Sequence, residues 1–119
     1  MNTRPMAKRR ISRRAIEAVV KRIAAQFDPE RIILFGSYAY GRPAAHSDVD
    51  LLVVLDTDER PRAKQLEIAR ALSPHPFGMD VLVRTPRQLQ TRIAMGDAFL
   101  REIVAHGKVL YERPVARTT

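Results

Sequence analysis

The stretch IILFGSYAYGRPAAHSDVDLLVVL, residues Ile32–Leu55, decides the fold of this chain. It holds two apolar runs, and between them lie a Gly36-Ser37 pair and two aspartates, Asp48 and Asp50. Side chains two residues apart in a strand point to the same face, so we expect the two carboxylates side by side at the start of the second run. Like charges held together repel and are costly to bury. A divalent cation would compensate them, and the stretch therefore predicts a metal site.

Hydrophobic periodicity around this stretch predicts an α/β domain. A helix is expected to begin after Ser12, whose hydroxyl can cap it, and to end at Asp28, because the residue before a proline disfavours the helical region. The first apolar run predicts a strand over residues 31–36. The second predicts a strand over residues 48–55, and its nearly unbroken apolar character is typical of a central strand covered on both faces.

The helix that follows the second strand is predicted over residues 59–73. Asp58 is expected to be its N-cap, and Pro61 falls in its first turn, where proline is tolerated. The buried side of this helix is expected to consist of Ala63, Leu66, Ile68, Ala69 and Leu72.

The C-terminal part of the chain predicts two more strands and two more helices. A strand is expected over residues 79–84, where Asp80 stands in an otherwise apolar run. Thr85 and Gln88 predict a capping box at the start of the next helix. Residues 108–112 predict a short edge strand. The helix before that strand is expected to face inward with Phe99, Leu100, Ile103 and Val104.

Composition bounds the class of protein. The chain has 119 residues, of which 45% are hydrophobic and 29% charged, which is typical of one soluble globular domain. Cysteine is absent, so disulfide frameworks, thiol catalysis and cysteine-based zinc sites are excluded. No apolar run approaches the length that crosses a membrane, and no secretory signal is recognisable. We expect a cytoplasmic protein.

The net charge of +8 is concentrated at the N-terminus. Residues 1–22 hold eight Lys or Arg against Glu17 alone and so carry +7 of the total. Such a block can contact phosphates or an acidic partner, but a solvated tail and helix face is the favoured interpretation. We expect a basic disordered arm over residues 1–11, a single domain over residues 12–113 and a frayed tail over residues 114–119.

Three carboxylates differ from the other acids because each begins or interrupts an apolar strand: Asp48, Asp50 and Asp80. Such an acid needs a positive or hydrogen-bonding partner. If all three converge from adjacent strands, they form an oxygen-rich site of the kind that magnesium accepts. The alternative is that Asp48 caps the preceding loop and Asp80 pairs with an arginine such as Arg84. The i, i+2 pair together with a third embedded acid favours the metal.

Gly36-Ser37 directly after a strand suggests a phosphate-binding loop. Glycine lets the backbone approach a ligand closely, and the serine hydroxyl adds a donor for a phosphate oxygen. Gly36-Ser37, ten residues and then Asp48-Val49-Asp50 resemble the signature of the polymerase-β-like nucleotidyltransferase superfamily. LFGSYAYG and SDVDLLVVL resemble its smallest branch, the minimal nucleotidyltransferases (MNT). The resemblance covers most of residues 30–113 and implies a polymerase-β-like fold, a small mixed α/β (α+β) sheet flanked by helices.

The resemblance also implies a role for each residue of the motif. Gly36 and Ser37 would hold the β- and γ-phosphates of a nucleoside triphosphate, with ATP as the expected substrate. Asp48 and Asp50 would bind two Mg²⁺ ions. Asp80 would complete the second metal site and help to remove the proton of the acceptor hydroxyl. The implied reaction transfers a nucleoside monophosphate and releases pyrophosphate.

The chain departs from this branch after the Gly-Ser pair. Members often carry arginines where this chain has Tyr38 and Tyr40. Arg42 is the residue nearby that can replace them in holding the triphosphate. The tyrosines can stack on the base or pack against the protein, and packing is the favoured interpretation.

The chain has no room for an acceptor-binding domain, so a partner is expected to present the acceptor. The MNT resemblance implies a HEPN-domain toxin as this partner, with adenylylation of a tyrosine hydroxyl by the MNT antitoxin. A domain that neutralises its partner by binding alone, and a small-molecule (antibiotic) nucleotidyltransferase, are the alternatives. Binding of nucleic acid through residues 1–22 ranks below them.

Overall fold

The computed structural model describes residues 10–44 and 46–114, which form one mixed sheet flanked by helices. The fold class predicted from the sequence is therefore confirmed. The elements, in chain order, are α1 (Arg13–Phe27), β1 (Arg31–Phe35), β2 (Val49–Val54), α2 (Pro61–Ala71), β3 (Met79–Arg84), α3 (Pro86–Ala94), α4 (Ala98–His106) and β4 (Lys108–Glu112).

The sheet has the strand order β3-β2-β1-β4. Strand β2 pairs antiparallel with β1 and parallel with β3, and β4 pairs antiparallel with the other side of β1. The apolar run after Asp50 is thus a central strand, as its composition predicts. The last strand lies at an edge, also as predicted.

The core lies on both faces of the sheet because alternate residues of β2 point to opposite sides. Leu51 and Val53 pack under α1 and α2, whereas Leu52 and Val54 pack under α3 and α4. All four are fully buried. Burying both faces of one strand requires a continuous apolar sequence, and residues 51–55 supply it.

The predicted start of α2 is wrong. The helix begins at Pro61, its N-cap is Arg60, and no side chain caps it, so Asp58 does not have the predicted role. The cause is Pro61 itself, because proline suits the first helical position and drives the preceding residue out of the helical region. Arg60 accordingly has extended dihedral angles, φ −63° and ψ 142°.

Part of the predicted buried side of two helices is also wrong. On α2, Ile68 and Leu72 are buried, but Leu66 is 52% exposed and Ala63 is exposed. On α4, Leu100 and Ile103 are buried, whereas the inward-facing residues predicted on either side of them are exposed. Only a narrow stripe of each helix is therefore buried. The exposed pair on α4 comprises Phe99 (55%) and Val104 (38%).

The capping residues predicted for α1 and α3 are confirmed. The Ser12 hydroxyl accepts the Ala15 N–H at the start of α1, and Thr85 and Gln88 form the predicted capping box of α3. Residues 1–9 and 115–119 of the predicted arm and tail lie outside the described residues. The domain boundaries therefore stay a prediction. Among the described helices, none has the length and apolar character to cross a membrane.

Candidate active site

The loop after β1 opens with Gly36 at a positive φ of 75°. The carbonyl of Gly36 accepts the N–H groups of both Ala39 and Tyr40, which closes a single turn. A Cβ at this glycine would collide with Oδ2 of Asp50. The Gly-Ser loop and one carboxylate are therefore in direct contact, although fourteen positions separate Gly36 from Asp50 in the sequence.

Asp50 and Asp80 stand beside each other on neighbouring strands. The parallel register of β2 and β3 makes them direct partners. Residues that are paired in this way project from the same face of a sheet. Asp50 is half-buried and Asp80 is exposed, so the pair opens toward solvent.

Asp48 precedes β2 and lies against the residue before β3. A Cβ at Gly78 would collide with Oδ1 of Asp48, and the Val49 N–H donates to the Gly78 carbonyl at 3.0 Å. Two glycines thus leave room for two carboxylates: Gly36 for Asp50, and Gly78 for Asp48. Asp48 is exposed. Because side chains two residues apart along an extended chain project to the same side, Asp48 lies on the same side of the chain as Asp50.

The three carboxylates act on one another electrostatically. The pKa of Asp50 is raised above its ordinary value of 3.8, first by partial burial and then by the negative charges of Asp80 and Asp48. Partial burial contributes most to this rise in pKa, and the two neighbouring carboxylates concentrate negative charge around Asp50.

The structure does not support the alternative pairing of these acids. Within the described residues, no ion pair reaches Asp48, Asp50 or Asp80. The Arg84 guanidinium donates instead to the Val83 carbonyl at 2.8 Å. Among the described residues of the loop, none is capped by Asp48, and the Ser47 hydroxyl accepts the Ala44 N–H.

The donor chemistry of the site fits magnesium without a closed protein cage. Across residues 10–44 and 46–114, no three His, Cys, Asp or Glu side chains converge into a ready-made metal centre. Mg²⁺ is usually held by one or two carboxylates together with water and substrate phosphates. Asp48 and Asp50, beside the Gly36 loop, supply that partial donor set of hard oxygens.

The other residues predicted for this site lie in the same loop. Ser37 is half-buried directly after Gly36, and its carbonyl accepts the N–H of Arg42, whose side chain is exposed. Tyr38 packs against the core, and its hydroxyl accepts the Ile11 N–H at 3.1 Å. Tyr40 is 48% exposed, so packing describes Tyr38 but not Tyr40.

Sequence reasoning missed two residues at this site. Gly78 was not named as a site residue, because only the folded structure brings Asp48 against it. Phe99 was assigned to the core. Its exposed ring stacks edge-on against Phe35 with the ring centroids 5.7 Å apart, and Phe35 is the register partner of Asp50. An aromatic ring therefore lies near the carboxylates.

The sequence profile of the family described as Polymerase beta, Nucleotidyltransferase matches residues 17–115. The chain belongs to this family. The match includes the Gly-Ser loop and all three carboxylates. None of the curated proteins compared with the chain matches it.

Two solved structures share the fold. One is from Sulfolobus solfataricus and is described as a "putative nucleotidyltransferase"; it is 18% identical, with a TM-score of 0.57 over 82% of this chain and 78% of that one. The other is a toxin–antitoxin structure with AMP-PNP. It is 23% identical, with a TM-score of 0.57 over 82% of this chain and 73% of that one. At these identities the likeness concerns the fold of this polymerase beta family member, not its substrates.

Proposed function

We propose that this protein is a Mg²⁺-dependent nucleotidyltransferase that transfers AMP from ATP to a hydroxyl group of a partner protein. The observation that carries the proposal is the contact of Gly36 with Asp50, which joins a phosphate-type loop to a carboxylate cluster. Membership of the nucleotidyltransferase family supports the class of reaction.

Each residue has a defined task in the proposed reaction. Gly36 and Ser37 bind the β- and γ-phosphates, with Arg42 as the additional cation of the loop. Asp48 and Asp50 would hold two Mg²⁺ ions, with Asp80 contributing to the second. Bound there, Mg²⁺ would supply the charge that activates the attacking oxygen and neutralises the leaving group.

The chemical step is an in-line displacement at the α-phosphorus. The acceptor hydroxyl oxygen forms a new bond to that phosphorus, and the bond to the bridging oxygen of the β-phosphate breaks. Pyrophosphate leaves with the electron pair of the broken bond. Asp80 would accept the hydroxyl proton, and its greater exposure than that of Asp50 supports this assignment.

We further propose that the acceptor is a tyrosine of a HEPN-domain toxin, for which this chain is the antitoxin. Support comes from the toxin–antitoxin structure that shares the fold and was solved with AMP-PNP. The sequence adds support through its resemblance to the MNT branch.

The test uses ATP labelled at the α-phosphate, Mg²⁺ and a HEPN-domain protein as acceptor. We expect label on the acceptor and release of pyrophosphate, whereas ATP labelled at the γ-phosphate leaves the acceptor unlabelled. Asp48→Asn/Asp50→Asn should lower transfer by about a thousandfold or more, since it removes the ligands of catalytic metal ions. The matched control is Asp56→Asn/Asp58→Asn, an exposed i, i+2 pair beyond the other end of β2. Wild-type transfer by the first variant contradicts the proposal.

One observation favours a second candidate function, neutralisation of the partner by binding alone. Tyr38, which stands where the branch often has an arginine, is tied to the core and to the Ile11 N–H. The phosphate loop therefore lacks one cation of its relatives. Co-expression separates the two functions, because full protection from the toxin by Asp48→Asn/Asp50→Asn, without AMP transfer, favours binding alone.

A further inference from the structure

A cleft of about 890 Å³ lies between the first turns of α2 and α3, at the end of β3 that is remote from the carboxylates. Arg84 is four positions after Asp80, which at roughly 3.3 Å per residue is about 13 Å along the strand. The arginine cleft, as we call it, is lined by five arginines: Arg60, Arg62, Arg84, Arg87 and Arg92.

Most of this positive charge is uncompensated. Within the described residues, only Arg92 of the five forms an ion pair, with Asp97 at 3.1 Å. Glu59, the nearest acid in sequence, pairs with Lys64 instead. Neither α2 nor α3 has an acidic residue in its first turn, so two positive helix ends add to the field of the cleft.

The N-terminus of α2 also offers free donors. No side chain caps it, and Pro61 at its first position has no N–H. The backbone N–H groups of the first turn after Pro61 therefore lack a side-chain cap, and Arg60, Pro61 and Arg62 of this turn line the cleft. An anionic ligand would satisfy the guanidinium groups and the helix end together.

The arginine cleft is connected to the candidate active site. A smaller cavity of about 230 Å³ contacts Asp80, and Arg62 and Gln65 line both this cavity and the cleft. The two concavities thus form a groove along the outer edge of β3. A chain bound in the cleft can follow this groove to Asp80.

The occupant is not an added β-strand. Gln65 accepts the Val83 N–H at 3.0 Å, and Arg84 donates to the Val83 carbonyl at 2.8 Å. These side chains occupy the backbone groups of the edge strand at this point and so block strand addition. Recognition in the cleft must come from its side chains.

The lining favours protein carboxylates over nucleic acid. All five cations are arginines, whose planar fork binds carboxylates in bidentate fashion. No aromatic residue lines the cleft among the described residues, so it lacks the stacking platform on which unpaired bases are bound.

We propose that the arginine cleft binds an acidic segment of the partner protein and directs its acceptor hydroxyl along β3 toward Asp80. This inference rests on the proposed function for the role of the acceptor, but binding itself does not require catalysis. The segment would carry Asp or Glu side chains at a distance from the hydroxyl comparable with the length of the strand.

The test measures the binding of a fluorescein-labelled oligo-glutamate peptide by anisotropy, with an oligo-glutamine peptide and a single-stranded RNA of matched charge as comparison probes. Arg60→Ala/Arg62→Ala/Arg87→Ala removes three exposed arginines of the cleft. Arg14→Ala/Arg70→Ala/Arg101→Ala removes three exposed arginines elsewhere and keeps the same net charge. Thermal melts verify that both variants are folded.

We expect the wild type to bind oligo-glutamate and not oligo-glutamine, with weaker binding at higher ionic strength. The cleft variant should lose about tenfold or more in affinity, equivalent to about 1.4 kcal/mol, whereas the control variant should bind as the wild type. No binding of oligo-glutamate, or equal loss in the two variants, overturns the proposal. Tighter binding of the RNA with the same arginine dependence overturns it in favour of nucleic acid.

The peptide-binding assay contains neither ATP nor a metal ion, so it tests the docking proposal independently of the proposed nucleotidyltransferase function. If AMP transfer fails but the arginine-dependent binding persists, the docking proposal stands and the proposed function falls. If transfer succeeds and the cleft variant binds oligo-glutamate normally, the docking proposal alone is wrong.

Discussion

The two ends of strand β3 carry opposite, uncompensated charges. At one end Asp80 lies beside Asp50 and near Asp48, and no described basic group pairs with them. At the other end the arginine cleft holds guanidinium groups of which only that of Arg92 has a described acidic partner. The separation of about 13 Å exceeds the Debye length of roughly 8 Å at physiological salt.

This difference indicates that neither end is arranged for stability. If one acid and one arginine were exchanged, each end would contain charges of both signs, and the repulsion within each end would fall. The chain instead keeps like charges together, which costs stability and suits ligands of opposite sign. The carboxylate end suits a divalent cation with its phosphates, and the arginine end suits an acidic segment.

Gly36→Ala perturbs the carboxylate end without removing a carboxylate. Alanine at a φ of 75° is strained by roughly 1–2 kcal/mol, and its Cβ would also displace the Asp50 carboxylate. We expect AMP transfer to fall by about a hundredfold, because a displacement of about 1 Å at a reacting centre has this effect.

Gly41→Ala is the matched control for this change. Gly41 has nearly the same φ, 78°, but its Cβ would meet nothing within 4 Å. Both variants should lose similar stability from backbone strain in urea unfolding, while Gly41→Ala keeps its activity. Equal loss of transfer in both would mean that strain in the loop, not the contact with Asp50, supports catalysis.

Ligand binding should stabilise the carboxylate end. Mg²⁺ together with a non-hydrolysable ATP analogue should raise the melting temperature, and at about 100 times the dissociation constant the gain is about 2.7 kcal/mol. Asp48→Asn/Asp50→Asn should show no rise, and a chelator should reverse the rise of the wild type. A rise that is the same in the variant would place the nucleotide elsewhere.

Strand β3 and helix α3 illustrate what local sequence can predict. The range 79–84 was correct for β3, and the capping box of Thr85 and Gln88 marked the start of α3, because these signals lie within a few residues. The spacing of the Gly-Ser pair and the aspartates likewise drew attention to Gly36 and Asp50, which the structure brings into contact. The start of α2 was wrong because the effect of Pro61 on Arg60 outweighed a potential cap at Asp58.

The rest depends on packing between distant segments. Gly78 leaves room for the Asp48 carboxylate only because the two segments fold against each other, and Phe99 is exposed because α4 buries a narrow stripe. The arginine cleft combines residues from positions 60 to 92, each of which resembles an ordinary solvated charge in the sequence. Hydrophobic periodicity does not report where the first turns of two helices meet.

Partial burial and charge repulsion at Asp50 give a stability prediction with a definite sign. Because the folded-state pKa of Asp50 is raised above 3.8, its ionisation opposes folding. The penalty is absent below pH 3.8, grows as the pH rises from 3.8 toward the folded pKa and is complete above the folded pKa. Asp50→Asn should therefore raise the free energy of unfolding at pH 7 in metal-free buffer, and the gain should vanish at acidic pH.

Asp97 is the control of opposite sign. Its pKa is lowered, first by the Leu100 N–H that it accepts and also by Arg92, so its ionisation favours folding. That stability is present above pH 3.8 and is lost as the pH falls through the folded pKa. Asp97→Asn should lower the free energy of unfolding at pH 7. If Asp50→Asn also lowers it, the carboxylates do not repel as inferred.

The smallest predicted effect tests the arginine end through the cap that α2 lacks. Arg60→Asp places a good capping residue at the N-cap and a negative charge at a positive helix end, so it should stabilise the protein by about 0.5–1 kcal/mol in urea unfolding. The same change places a negative charge in the cleft and should weaken binding of oligo-glutamate. Arg60→Gln removes the cation without adding a charge, and it should weaken binding less. If Arg60→Asp raises stability and weakens binding of oligo-glutamate, Arg60 contributes to binding at the expense of stability. If the variant gains stability and still binds normally, Arg60 is an ordinary solvated side chain.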